Sequence, residues 1–138
     1  MTKRYIAGVA ALSAMLGLAA GSGLVSAHHS TTVYDHAKSL TITGRVVELH
    51  WVNPHVSLLI KGAVDDSSQQ QEWVIEMPSP YSLVHTCGFN RNFLAIGDAV
   101  TVEFNPSRDN SVRGGALKKI TASATGRVFT LNIRSPYS

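Results

Sequence analysis

The chain has 138 residues, 44% of them apolar, with 12 Lys and Arg against 9 Asp and Glu and a single cysteine. That length suits one domain around one core. Two of the basic residues, Lys3 and Arg4, belong to a leader-like start; without them 10 basic residues face 9 acidic ones, a net charge of +1 with His neutral. A chain so balanced lacks the clustered basic face that nucleic-acid binding needs, so the high pI is no argument for it.

Residues 1–27 read as a signal peptide. Lys3 and Arg4 form a short positive region, Tyr5 to Ala20 is an apolar run, and Gly21 to Gly23 weaken any helix. Val25-Ser26-Ala27 then supplies small residues where signal peptidase reads, with cleavage before His28. The apolar stretch is shorter than the roughly 20 residues of a spanning helix, which argues against a retained anchor. Export places the mature chain in the periplasm or outside the cell. With Cys87 as its only thiol it has no internal disulfide, so burial alone must hold the fold.

The mature chain opens with His28-His29-Ser30 and an arm, residues 28–39, which has no convincing period; Tyr34 is its candidate pin. A single β domain follows over residues 40–138. Leu40 to Leu49 has strand character, with a bulge or bend at Gly44 and a change of in/out phase near Val46-Val47. Trp51-Val52-Asn53-Pro54-His55 makes a turn, and Val56, Leu58 and Ile60 then alternate with polar residues. Gly62 to Gln71 is a polar loop, after which Trp73, Ile75 and Met77 share one face and Glu72, Val74 and Glu76 the other.

Ser79-Pro80 signals a helix start, and a helix is expected from Pro80 to Cys87 with Leu83, Val84 and Cys87 inward and Gly88 as its stop. Cys87 reads as a small buried residue rather than a reactive thiol. Asn90 caps a second short turn. Val100, Val102 and Phe104 alternate in the next strand, Asn105 to Gly115 forms a loop, and Ala116 to Ala122 is another strand. A turn at Thr125-Gly126-Arg127 leads to a last apolar segment, Val128 to Ile133. Three strands, a helix and two more strands is the order of a mainly β, OB-like five-stranded barrel with its helix between strands three and four. Closure also suits a small domain without disulfides, because it removes exposed sheet edges.

Several stretches together resemble one family: His28-His29-Ser30 with Tyr34-Asp35, Leu40 to Val46, Trp51 to His55, Glu76 to Pro80, Arg91 to Leu94, and Ile96 to Val102. It is a family of small exported bacterial proteins catalogued only as a domain of unknown function. The resemblance implies export from a Gram-negative cell and an OB-like β fold, and it brings no activity or functional residue. Cys87 and the C-terminal tail lie outside its pattern.

Three groups of residues could carry chemistry. Cleavage before His28 would leave an α-amine and an imidazole on one residue, a compact chelate suited above all to Cu(II), with Ni(II) and Zn(II) behind. This resembles the histidine brace of exported copper proteins. The plain alternative is a frayed polar terminus. Second, His50 and His55 flank the turn with four residues between them, a spacing that lets them face each other across paired strands and add two imidazoles. The plain alternative puts both on the solvent rim, with Trp51 and Pro54 packing the barrel end. Third, Glu72, Glu76 and Glu103 read as surface carboxylates. No nucleophile elbow, phosphate loop or dinucleotide fingerprint occurs, so no enzyme activity is expected.

Two functional classes follow. The first is an exported, non-enzymatic binding protein for a transition metal, copper favoured, held by His28 and His29 with His55 and then His50 as further ligands. The second is an OB-like interaction module without metal, which docks a protein partner or small molecule against Trp51, Asn53 and His55.

Overall fold

The computed structural model describes residues 33–65 and 67–131. The expected signal peptide, His28, His29 and Ile133 with the C-terminal tail lie outside these residues. The elements run β1 (Leu40–His50), β2 (Ser57–Val64), β3 (Gln71–Glu76), α1 (Pro80–His85), β4 (Ala99–Pro106), β5 (Gly114–Ala122) and β6 (Val128–Thr130). The sheet order is β3-β2-β1-β4-β5-β6, and a parallel pairing of β3 with β5 closes the first five strands into a barrel. One short helix lies between β3 and β4, so the OB-like order read from the sequence holds.

Alternation explains the core. Ile42 and Val46 from β1, Leu58 and Ile60 from β2, Ile75 from β3, and Val100, Val102 and Phe104 from β4 are all buried. The interior is filled by these branched and aromatic side chains at every second position. Leu83 from α1 and the buried Phe89 join the same cluster. Phe89 packs on Phe93 and Phe129, with ring centroids 4.7 and 4.6 Å away.

β1 serves two partners. Leu40 to Arg45 pair with β4, and Ile42 to His50 pair with β2. The register slips between Val46 and Glu48, so the expected phase change is a bulge with Val47 as the extra residue. At Gly44, where a bulge or bend was expected, the register with β2 is unbroken. Gly44 faces Gly62 across the pair, and a Cβ on Gly44 would lie 2.3 Å from the Lys61 carbonyl oxygen and 2.6 Å from Gly62 Cα. The glycine therefore lets two strands approach closely where the sheet curls.

The helix is shorter than expected. Ser79 is its N-cap, its hydroxyl accepting from the Ser82 amide at 3.2 Å, and Pro80 occupies the first turn. It ends at His85 because the Cys87 and Thr86 amides both donate to the Ser82 carbonyl and Gly88 then takes φ +69°. Val84, expected inward, is 46% exposed, whereas Leu83 is buried and Cys87 packs half-buried against the core. The Asn105–Gly115 loop is also tighter than expected, because β4 runs to Pro106 and β5 begins at Gly114. Among the described residues no helix is long and apolar enough to cross a membrane.

The Gly44 contact makes a stability prediction. Gly44→Ala should destabilise the fold by about 1–3 kcal/mol, because the new methyl meets backbone that cannot swing aside. Chemical denaturation checks it with Thr43→Ala, on the exposed face, as the control. Equal midpoints for the two variants would contradict the close approach.

Candidate functional site

The β1–β2 connection begins after His50 and ends before Ser57. Trp51 turns inward and stacks on Phe89 at 6.2 Å with an interplanar angle of 18°. Val52, Asn53 and Pro54 are exposed at the tip, and the Asn53–Pro54 peptide is cis. Val56 is buried and extends the pairing with the end of β3: the Met77 amide donates to its carbonyl at 2.8 Å, and its own amide donates to the Pro78 carbonyl at 3.2 Å.

This register sends His55 to the outer face. Ser57 pairs with Glu76, so His55, two residues earlier, is a diagonal neighbour of Glu76 on that face. His55 Nδ1 contacts Glu76 Oε1, and the two side chains are 33% and 36% exposed. A neutral imidazole in this contact donates Nδ1–H and carries its lone pair on Nε2.

The arm reaches the same carboxylate. Val33 accepts from the Arg108 amide at 2.9 Å, and the Asp35 amide donates to the Pro106 carbonyl at 2.8 Å. Tyr34 bridges to Ser107, whose amide donates to the Gly114 carbonyl. Gly114 in turn pairs with Val74 on β3. From that position the Tyr34 hydroxyl donates to Glu76 Oε2. Glu76 therefore holds the arm with one oxygen and the hairpin with the other.

His50 and His55 do not face each other as their spacing had suggested. His50 pairs with Ser57, and its Nε2 lies 3.1 Å from Glu48 Oε2. The bulge at Val47 and the six-residue connection shift the register away from a His–His pair. Because Ser57 also pairs with Glu76, His50 shares the row of Glu76 two strands away, with backbones about 10 Å apart at ordinary strand spacing. Among the described residues no group of three or more His, Cys, Asp or Glu side chains is placed to hold a metal ion. Trp51 packs partly buried against the core, His55 is half-buried and Asn53 is exposed.

Of the three carboxylates read as surface, Glu72 is exposed and Glu103 binds Lys118 Nζ at 2.6 Å and the Ser39 hydroxyl at 2.9 Å. Glu76 is the correction. It points outward as its alternation requires, yet its two oxygens are occupied by partners 42 and 21 positions away along the chain. Its place opposite Ser57 follows from a register that depends on the connection between β1 and β2.

With this geometry in hand, comparison with known proteins gives a family. A family model described as Family of unknown function (DUF6152) matches residues 14–116. The chain belongs to that family. The matched span takes in Tyr34, His55 and Glu76 together with the strands that position them. A search of curated proteins finds no match. Among solved structures, the chain is similar to the mitochondrial single-stranded DNA binding protein Rim1 of S. cerevisiae. The TM-score is 0.45 at 16% identity, with 61% of this chain and 91% of that one covered. A likeness at that level carries no functional argument.

Burial first, then donation to Glu76 and the nearness of its charge, push the Tyr34 hydroxyl above the ordinary tyrosine value. A pKa raised on folding contributes stability that is complete below the unfolded value, about 10, and is lost as pH rises beyond it. Alkaline titration by tyrosinate absorbance tests this. The difference between the wild-type and Tyr34→Phe curves should have its midpoint above about 10. A midpoint at or below that value would contradict the Tyr34–Glu76 contact.

Proposed function

We propose that the mature protein is an exported, non-enzymatic binding protein that takes up a transition metal, copper favoured, where the arm meets the β1–β2 hairpin. His55 supplies one imidazole, His28 and His29 bring nitrogen donors from the arm, and His50 is the more distant further ligand. The supporting observation is the shared carboxylate: Glu76 ties Tyr34 and His55 to one point. His29 lies five residues before Tyr34 in the sequence. A histidine backed by a carboxylate through Nδ1 is also the usual arrangement of a metal-binding imidazole, its other nitrogen being the donor.

The chemistry of the donors favours copper. An α-amine and imidazoles are nitrogen ligands that Cu(II) prefers over the other divalent ions of its row. Cleavage before His28 would provide that amine, and uptake at neutral pH would release its proton. The competing reading is a docking module without metal, and 57% exposure of Val52 beside Asn53 at the hairpin tip is the observation on its side.

The test begins with the mass of the exported protein, expected to start at His28. Cu(II) titration of that species should give one site, weakened at least about tenfold in each of His28→Ala, His29→Ala and His55→Ala. A start at Ser30 or later, or equal affinity in all four proteins, would move the conclusion to the docking module.

A further inference from the structure

We propose that the outer face of β1 and β2 carries a separate site, a basic cleft in which Arg45 and Lys61 bind a small phosphate-bearing molecule. It lies away from the hairpin and does not rest on the metal reading. Lys61 is about 13 Å along β2 from Ser57, the residue opposite Glu76, at ordinary strand rise.

The cleft follows from the sizes of the outward residues. β1 turns Thr43 and Arg45 to solvent on either side of Gly44, while Ile42 and Val46 are buried. Arg45 pairs with Lys61 on β2 and with Ala99 on β4, so one row across three strands reads Lys, Arg, Ala. Gly44 and Ala99 make a low floor, and the long side chains of Arg45, Lys61 and Gln70 stand around it. The resulting cleft has a volume of about 360 Å³ and is lined by Thr43, Gly44, Arg45, Lys61, Gln70 and Ala99. That size falls at the lower end of small-molecule sites.

Charge makes it a place for an anion. Residues directly opposite on an antiparallel pair have Cβ atoms about 5 Å apart, and like charges there repel. Arg45 and Lys61 are so placed, and the ion pairs among the described residues all join other groups. Among the described residues no carboxylate lines the cleft. Glu72 sits on the far side of Lys61 and forms no ion pair with it. Asp98 accepts from the Ala95 amide at 2.8 Å, and Asp65 from the Thr41 amide at 3.0 Å. Arg45 is held in place by its Nη1, which donates to the Gly97 carbonyl at 2.9 Å. The rest of the guanidinium fork stays open to a ligand. A phosphate group, with a charge of about −1.5 to −2 at pH 7, matches two cations, whereas a single carboxylate would leave one uncompensated.

The test uses the full chain with inorganic phosphate and then a sugar phosphate as probes, at constant ionic strength balanced with chloride. Amide resonances of Thr43, Arg45 and Lys61 should shift saturably with phosphate. Lys61→Ala should weaken binding about tenfold, the usual effect of losing a charged hydrogen-bond partner. Arg45→Lys should weaken it by a similar factor although the charge is kept, because an ammonium lacks the fork. Glu72→Gln should tighten it about twofold by removing a nearby negative charge. Lys119→Ala, at an exposed position on β5, should bind like the wild type. Phosphate should also raise the denaturation midpoint of the wild type and leave that of Lys61→Ala where chloride leaves it. Wild-type affinity in Lys61→Ala and Arg45→Lys, or shifts spread over the lysines and arginines of the whole surface, would overturn the site. A sugar phosphate that binds no more tightly than inorganic phosphate would overturn the assignment to a small phosphate-bearing molecule.

Discussion

The seam between β3 and β5 is the constraint on which the rest of the molecule depends. It is the only parallel pairing among the described strands, and it spans three residue pairs, Val74 with Gly114, Ile75 with Gly115 and Glu76 with Ala116. Parallel pairing is slightly weaker per residue than antiparallel pairing, so a short parallel seam needs an unobstructed approach. Gly114 provides it, since a Cβ there would lie 2.6 Å from the Val74 carbonyl oxygen. Closure removes the edges that an open five-stranded sheet would present, and it does so without a disulfide. The same seam carries the end of β3 to the beginning of β5, where the arm crosses. The contact between Tyr34 and Glu76 is thus a consequence of how the barrel closes.

The barrel also explains why the outer face near the hairpin is polar although the strands are strongly apolar. Val56, Leu58 and Ile60 point inward, so His55 and Ser57 must point outward. Ile75 and Met77 do the same for Glu76. Two strands in antiparallel register then bring their outward residues together whether or not they interact. The specific feature here is that the outward residues are an imidazole and a carboxylate, and that the carboxylate keeps a second oxygen for the arm.

Most of the fold was legible because period-2 alternation and turn chemistry are local. The strands, the Ser79-Pro80 helix start and the phase change at Val47 all follow from neighbouring residues, and their order was enough to suggest the barrel. Where expectation and structure part, the cause is non-local. Gly44 suggested a bulge or bend from its own sequence, and only the presence of Gly62 opposite shows it as a point of close approach. The helix ends early because Ser82 takes two amides, which the apolar pattern through Cys87 does not reveal. Of the candidate site residues, His55 could be picked out from its turn, whereas its pairing with Glu76 depends on a register that the spacing of His50 and His55 does not determine. Tyr34 was legible as a pin, but its acceptor was not, because the two lie 42 positions apart.

A site made in this way differs from one built wholly on rigid strands. Holding each residue of an arm in one conformation costs about 1–2 kcal/mol, and each backbone hydrogen bond returns about 1 kcal/mol. The segment Val33 to Lys38 has only a few such bonds, so docking of the arm is a balance between terms of similar size. The bond from Tyr34 to a carboxylate is of the stronger, charge-assisted kind and bears directly on that balance. His55 and Glu76, by contrast, sit at the ends of paired strands, where the hydrogen-bonded ladder sets their positions in advance. One half of the site is therefore preorganised and the other half is conditional.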